Sequence, residues 1–201
     1  MTRRGKSDAV VGQDGKPRCP WAGPSGRPLA HYHDKVWGKK TRAESALFEA
    51  LTLSVFEVGL SWTVVFNKRD AFYEAFYEFD VDRVSGMKEK DVARLVGNPS
   101  IIRNRAKIEA TVANARTMRS ASPSLAALVA AHSVARKQSP QTVADISSVT
   151  PEAEALASRL KSQGYRFVGP TSVYAFMQNV GAVNDHVRGC FRAVDYAPSS
   201  K

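Results

Sequence analysis

The helical spacing of the apolar residues constrains the fold of this chain more than any other feature. In the segment 41–59, apolar positions recur at offsets of 3, 4, 8 and 11 residues, as they do on one face of an amphipathic helix. These positions are Leu47, Ala50, Leu51, Val55 and Val58. No alternating strand pattern longer than a few residues appears, and there is no internal repeat. The pattern predicts an all-α protein.

Capping and stop residues divide the rest of the chain into further helices. Ser61 is a candidate N-cap for a helix over 61–79, and a shorter helix is predicted to begin at Asp80. Thr150, followed by proline and two glutamates, marks the start of a helix that Gly164 ends. These signals favour several helices of ordinary length over one long coil.

A chain of 201 residues fits one domain with its own core. We expect a single compact helical domain over 17–192, a disordered basic tail at 1–16 and a flexible tail at 193–201. No apolar run is long enough to span a membrane, and the N-terminus lacks the apolar segment of a secretory signal. Two cysteines far apart in such a chain favour a reducing compartment, so we expect a cytoplasmic protein. We also expect it to be a monomer.

The net charge of the chain is +10, from 29 basic and 19 acidic residues. Such an excess indicates a polyanionic partner, most often a nucleic acid, although basic surfaces also serve solubility alone. One basic segment is concentrated after the tight link at 97–100, where a single acid, Glu109, stands among five basic residues. These are Arg103, Arg105, Lys107, Arg116 and Arg119. Two helices around this link could hold DNA phosphates, and a solvated helix face is the alternative.

Histidine and cysteine supply a possible metal site. The candidate ligands are Cys19, His31, His33, His132, His186 and Cys190. If helical, His186 and Cys190 lie one turn apart on one face, and Cys19 with a histidine of the HYHD motif would complete a Cys₂His₂ set. The spacing matches no short zinc-finger pattern, so buried cysteines and surface histidines remain the alternative.

Aromatic residues and one serine complete the set of unusual positions. Trp21, Tyr32, Trp37 and Trp62 lie near candidate ligands or helix boundaries. Aromatic residues are usually core, but a cluster at loop edges also suits stacking on a nucleobase. Ser54 interrupts the apolar stripe of the first long helix, and such a serine most often bonds the carbonyl one turn back.

Together these motifs resemble the type I 3-methyladenine DNA glycosylases, a zinc-containing branch of the helix-hairpin-helix superfamily. The resemblance covers about residues 17–192 and rests on CPW, YHDKVWG, LFEALTL…GLSW, IIRNRAKIEATVANA, GYRFVGPTSVYAFMQ and VNDHVRGC, in the family's order. It implies a helical domain with a helix-hairpin-helix element. It also implies base-excision repair of double-stranded DNA, in which the enzyme flips out 3-methyladenine and hydrolyses its N-glycosidic bond.

The resemblance assigns the metal site and the substrate contacts. It implies one structural zinc that joins the N- and C-terminal regions through Cys19, His33, His186 and Cys190. Four protein ligands leave no open position for chemistry. The base pocket would contain Trp21, Tyr32 and Trp62, which suit a cationic base. The DNA-contacting residues would be Gly59, Leu60, Gly97, Ser100, Arg103, Arg105 and Lys107. The link at 97–100 lacks the Gly-x-Gly pattern usual in the superfamily.

The main departure from the family is Ser54, which stands where well-characterised members have a base-recognising glutamate. Its loss removes an acceptor for the adenine amino group and a negative charge near the cationic base. Loss of this carboxylate could lower the rate by a factor similar to the roughly 10²–10⁴-fold that a positioned general acid or base contributes, so weak activity is expected rather than none. Glu57 could partly replace it through a water, although three helical steps leave it about 60° away. Three hypotheses follow. The chain is a working glycosylase, a catalytically weakened or altered-specificity relative that binds DNA or a modified base, or a zinc-stapled interaction domain unrelated to DNA.

Overall fold

The computed structural model describes residues 7–196 and is mostly helical, which confirms the fold class. Its α-helices are α1 (Pro28–Lys35), α2 (Glu44–Glu57), α3 (Trp62–Phe66), α4 (Arg69–Ala75), α5 (Val81–Ser85), α6 (Glu89–Val96), α7 (Arg105–Ser120), α8 (Leu125–Ala131), α9 (Pro151–Ser162) and α10 (Pro170–Asn179). The parts of the two predicted tails at 1–6 and 197–201 lie outside the described residues. Between residues 7 and 196, no helix combines the length and the apolar character needed to cross a membrane.

Contacts along the chain define two compact units. The first unit comprises Met1–Lys40, Ser133–Ser148 and Met177–Lys201, and the second comprises Thr41–His132 and Val149–Phe176. The first unit therefore combines described residues from the N-terminal and C-terminal parts of the chain, while the second holds most of the long helices.

The first unit contains a short antiparallel hairpin of β1 (Val10–Val11) and β2 (Pro17–Arg18). This hairpin lies partly in the segment 1–16, where the sequence predicted disorder, and that prediction is wrong for the hairpin. The reason is a buried arginine: Arg18 Nη2 lies 2.7 Å from Asp14 Oδ2 across the turn. A charge-assisted bond of this kind orders a turn whose composition is otherwise polar.

The core of the second unit is aromatic and centres on α2. The sequence predicted an amphipathic helix here, but Leu47, Phe48 and the whole segment 51–56 are buried. A helix that is buried on nearly every side belongs to the interior of a core. Phe56 packs on Phe72 with ring centroids 4.5 Å apart, and both side chains are fully buried. The apolar run of α2 is thus explained by burial all round.

The predicted helix over 61–79 is interrupted in the structure. It forms α3 and α4, which are separated at Asn67 and Lys68, and then a turn at Tyr77–Phe79 in which all three residues have positive φ. The predicted start after Asp80 is confirmed, since Asp80 Oδ1 accepts a hydrogen bond from the amide of Arg83 at 2.9 Å. That bond satisfies one of the free amides at the start of α5.

Helices α6 and α7 pack against each other and are joined by the link 97–104. The sequence predicted a tight link at 97–100, but the link extends to residue 104, because Asn104 is the N-cap of α7. The Asn104 side chain accepts a hydrogen bond from the amide of Lys107 at 3.1 Å. The ammonium of Lys68 donates to the carbonyl of Ser100 at 2.9 Å, so the link is tied to the preceding helices. Residues 89–120 therefore have the helix–link–helix order that the sequence suggested.

Candidate metal centre and DNA-contacting residues

Four buried side chains of the first unit form one cluster. Cys19 precedes a short 3₁₀ turn, His33 lies in α1, and His186 and Cys190 follow α10. Their ligand atoms all lie within 4.8 Å of one another. His31 is exposed, and His132 Nδ1 pairs with the Leu128 carbonyl at 2.8 Å. The predicted set of four is thus assembled, and the structure leaves the other two histidines out of it.

The segment that carries His186 and Cys190 is not a helix, so the helical spacing considered for these two ligands does not apply. Residues 184–187 are irregular and residues 188–189 form a turn, in which Gly189 has a φ of +83°, a conformation that favours glycine. The amide of Cys190 donates to the carbonyl of Val187 at 3.0 Å, which closes the turn. A tight turn, rather than helical spacing, brings the two side chains to the same point.

The distances within the cluster fit a tetrahedral metal. Cys19 Sγ lies 3.6 Å from His186 Nδ1, and Cys190 Sγ lies 3.5 Å from His186 Nδ1 and 3.4 Å from His33 Nε2. The two imidazole nitrogens are 3.2 Å apart. Ordinary zinc bond lengths give tetrahedron edges of about 3.5 Å from sulfur to nitrogen and about 3.3 Å between nitrogens. The four distances therefore match the corresponding edges of such a tetrahedron to within about 0.1 Å, and all four ligand atoms lie within 4.8 Å of one another.

Each histidine ligand has a different neighbour on its far side. His33 Nδ1 is 2.9 Å from Asp34 Oδ1, so the carboxylate holds the Nδ1–H tautomer and leaves Nε2 free to bind a metal. Arg18 donates to both oxygens of the same carboxylate, at 2.9 and 2.7 Å. Burial alone would raise the pKa of Asp34, but the bonds from Arg18 and then His33 outweigh it and keep this pKa low. Asp34 and Arg18 were not singled out from the sequence.

His186 lacks such a carboxylate. Its Nε2 is buried and has no hydrogen-bond acceptor within the part of the chain that the structure describes. Its ring instead stands edge-on to Trp37, with centroids 4.6 Å apart and planes at 86°. Burial lowers the pKa of His186, which favours the neutral imidazole that a metal needs. Trp37, which the sequence marked only as one of several aromatics, thus packs against a ligand.

Backbone amides support the two sulfur atoms. The amide of Val187 lies 3.4 Å from Cys19 Sγ, and the amide of Arg192 lies 3.4 Å from Cys190 Sγ. The thiol of Cys19 also donates to Cys190, and this bond is the largest of the effects that lower the pKa of Cys190. Neither cysteine is in a disulfide. The same hydrogen bond, followed by burial, raises the pKa of Cys19, so the cluster favours the thiolate form of Cys190 and the thiol form of Cys19.

The aromatic candidates of the first unit lie beside this cluster. Trp21 contacts His33 edge-on at 5.2 Å and Trp37 at 4.9 Å. Tyr32 is the neighbour of His33 in α1, and its hydroxyl donates to Asn179 Oδ1 at 3.3 Å. Both side chains are therefore held in place by the residues that form or flank the cluster.

In the second unit, Ser54 and Glu57 lie in the last turn and a half of α2. Ser54 is 2% exposed, and its hydroxyl donates to the carbonyl of Ala50 at 2.9 Å, as the sequence suggested for such a serine. Glu57 is the last residue of α2 and is half-buried, and this burial raises its pKa. Trp62 begins α3 and is also half-buried.

Lys107 needs a correction, because its side chain does not reach the surface. It is 6% exposed, and its ammonium donates to the carbonyls of Phe56 (2.9 Å) and Val58 at the C-terminal end of α2. Burial lowers the pKa of Lys107. A lysine in this place satisfies helix-end carbonyls rather than phosphates. We therefore withdraw Lys107 from the DNA-contacting residues and regard it as the residue that holds the turn after α2.

The other DNA-contacting candidates differ in what their surroundings allow. Gly59 has a φ of +76° and lies beside Leu60, which is 42% exposed. Around the link after α6, Gly97 and Ser100 are exposed, and so is Arg103. Arg105 pairs with Glu89 at 2.7 Å and Glu109 at 3.3 Å; surface pairs of this kind exchange readily. Lys68, which reaches this link from α3–α4, was missed because nothing in its sequence context marks it.

The fold and the cluster define a class: a mostly helical protein in which a buried Cys₂His₂ cluster, able to hold a metal ion, links the N- and C-terminal regions. Residues 21–193 match the family model described as methyladenine glycosylase. The chain belongs to this family, whose members include 3-methyladenine DNA glycosylase I. Cys19 lies two residues before the matched span.

Similar proteins cover nearly the whole described chain. It is 39% identical over 178 residues to DNA-3-methyladenine glycosylase 1 of Escherichia coli, covering 86% of this chain and 95% of that one. It is 37% identical over 179 residues to DNA-3-methyladenine glycosylase of Haemophilus influenzae, covering 86% and 96%. A crystal structure of 3-methyladenine DNA glycosylase I superposes with a TM-score of 0.79 at 40% identity, covering 87% and 98%. A Tyr-to-Phe variant bound to 3-methyladenine superposes with 0.78 at 29% identity, covering 86% and 96%.

Proposed function

We propose that this chain is a DNA glycosylase of base-excision repair that removes 3-methyladenine, or a related alkylated base, from double-stranded DNA. The observation that carries this proposal is its 37–39% identity to two bacterial enzymes of that name over almost their full lengths. The net charge of +10 supports a DNA substrate.

The proposed reaction is hydrolysis of the N-glycosidic bond of a flipped nucleotide. The bond electrons leave with the base, and a water adds to the sugar carbon and loses a proton. A base methylated at N3 is cationic before cleavage and neutral after it, so it is a good leaving group. The proposed base-contacting residues are Trp21, Tyr32 and Trp62, since electron-rich rings attract a cationic base more than neutral adenine.

A zinc ion is the metal that best fits the Cys₂His₂ cluster, because its ligand types and its tetrahedral geometry match. Cys19, His33, His186 and Cys190 would hold it. The ion would supply folding energy and no open coordination site, so its role is structural. In this proposal the cluster holds Trp21 and the residues of α1 in position, and the reaction uses other groups.

Ser54 favours a second candidate function, a weakened or altered-specificity relative. Its hydroxyl is engaged with the carbonyl of Ala50, so no carboxylate at this position reads the base edge or faces the cationic sugar. Glu57 is the acid nearest along α2, and its half-buried carboxylate could act through a water. In this account, activity on 3-methyladenine is retained but low.

The test is release of free 3-methyladenine from alkylated duplex DNA under single-turnover conditions. We expect release above the spontaneous rate with excess enzyme, and no release above that rate would refute the glycosylase proposal. A Ser54→Glu variant distinguishes the two candidates. A rate gain of about tenfold or more would support the weakened relative, and the absence of a gain would favour an enzyme already adapted to serine.

A further inference from the structure

The loop before α10 contains an exposed aromatic residue in a strained conformation. Phe167 has a φ of +57°, in the left-handed region that bulky residues rarely adopt, and its side chain is 40% exposed. Val168, which follows it, is buried, and so is Tyr165 two residues before it. Packing of the core therefore does not explain why a phenylalanine occupies this position, where glycine or asparagine would be easier to accommodate.

A buried asparagine holds this loop in place. Asn114, 1% exposed in α7, accepts from the amide of Arg166 at 2.7 Å and donates to its carbonyl at 3.1 Å. Two bonds to one residue fix both its position and its orientation, and so fix the backbone next to Phe167. A conformation that costs energy persists only when its surroundings impose it in this way.

The same face of α7 carries a second exposed apolar loop. Lys107 and Asn114 are seven residues apart, which is 20° short of two turns and about 10 Å along the helix. Lys107 binds the carbonyls of Phe56 and Val58, just before the exposed Leu60. One face of α7 thus holds both the turn after α2 and the loop of Phe167, each with an exposed apolar side chain.

The chain segment that contains Phe167 carries an excess of positive charge, which suits a polyanion. Residues 155–184 contain no aspartate or glutamate, while Arg159, Lys161 and Arg166 are basic. Arg166 is exposed and immediately precedes Phe167. An aromatic ring beside a cation is the combination that nucleic-acid-binding surfaces use to stack on a base and contact its phosphate.

We propose that Phe167 is a DNA-contacting residue that stacks on a base of the bound duplex, with Arg166 on an adjacent phosphate. The inference deepens the proposed function and rests on it. Asn114 is the positioning residue that presents the pair, and α7 sets their spacing from the loop at Leu60.

The experiment measures binding to a fluorescent duplex with a tetrahydrofuran abasic site, by anisotropy over a range of salt concentrations. Loss of a stacked base predicts about 5- to 100-fold weaker binding for Phe167→Ala, while Phe167→Trp should retain affinity. Arg166→Gln should lower the slope of the logarithm of affinity against the logarithm of salt by about one. The matched control is Tyr73→Ala, an aromatic of the second unit that is 42% exposed and bonded to Glu78. Its binding should match that of the wild type.

A stability measurement separates DNA contact from a structural role. Phe167→Gly relieves the positive φ, so its Tm should equal or exceed that of the wild type while its DNA affinity falls. Binding of Phe167→Ala within twofold of the wild type, or a lower Tm for Phe167→Gly, would overturn the inference alone. A wild-type protein whose DNA binding is absent or independent of salt would overturn the proposed function as well.

Discussion

Replacing Gly38 with alanine is expected to weaken metal binding, because the new methyl group would enter the space of a ligand ring. A Cβ on Gly38 would lie 2.9 Å from His186 Nε2. Since nonbonded contacts are comfortable at about 3.5–4.0 Å, the ring would have to retreat by about 0.6 Å. Metal–ligand distances tolerate changes of only about 0.2 Å. His186 is fully buried, so it has little freedom to restore the bond by moving elsewhere.

The expected size of the effect can be separated into two parts. Gly38 has a φ of +72°, and a side chain in that region costs about 1–2 kcal/mol. Gly26 has a φ of +79° and nothing within 4 Å of its would-be Cβ, so Gly26→Ala carries a backbone cost alone. Disturbed ligand orientation typically lowers metal affinity 10- to 100-fold, or about 1.4–2.7 kcal/mol. Addition of zinc should therefore stabilise Gly38→Ala by this much less than it stabilises Gly26→Ala.

The assay combines zinc competition against a chromogenic chelator with urea unfolding of both variants, with and without zinc. We expect only Gly38→Ala to lose zinc affinity, and its deficit in stability relative to the control variant to grow when zinc is added. Equal zinc affinities in the two variants would show that His186 is not held at the distance the structure gives, and would refute the reasoning.

Three further predictions use the same two sites. Asp34→Asn should weaken zinc binding about 10- to 100-fold. The control is Asp14→Asn, which removes the other carboxylate bonded to Arg18 but keeps the bond between Asp34 and His33, and it should change zinc binding little. Equal chelator-competition results for the two variants would count against a role for the Asp34 carboxylate. Burial raises the pKa of Glu57, so the stability that this residue contributes is full below its pKa in the unfolded chain and is lost as pH rises through its pKa in the folded protein. Glu57→Gln should therefore raise Tm at pH 7 and leave Tm unchanged near pH 4. A gain in Tm that does not depend on pH would contradict this prediction. Lys107→Met should lower the free energy of unfolding by about 1–3 kcal/mol in urea titrations, because two carbonyls at the end of α2 lose their donor; an unchanged value would show that they find another.

The sequence predicted the helices and the ligand set well because both leave local or family-wide signals. Apolar spacing gave α2, and capping residues gave the starts of α5 and α9. The motifs that resemble the family identified Cys19, His33, His186 and Cys190, which the structure brings together. Spacing alone could not have done so, because two of these residues come from a non-helical turn.

Features that depend on contacts far apart in the chain were missed or misassigned. The β-hairpin depends on Arg18, which bonds Asp14 across the turn and is itself held by Asp34, 16 residues away. The sequence marked Lys107 as basic, but only the fold shows that it lies against the end of α2, 49 and 51 residues away. A charge pattern indicates a polyanionic partner, but burial decides which charges can meet it.

The metal cluster and Ser54 belong to different units of the chain, and each has a consequence for specificity. A cluster with four protein ligands at tetrahedral spacing can support the aromatic residues beside it, but it offers no group for hydrolysis. With the hydroxyl of Ser54 turned to its own helix, recognition in the proposed enzyme depends on the charge of the base rather than on its hydrogen-bonding edge. Cationic alkylated purines should then be accepted with little regard to their exocyclic groups, while neutral lesions should be excluded. A carboxylate restored at position 54 would narrow that range as well as raise the rate on 3-methyladenine.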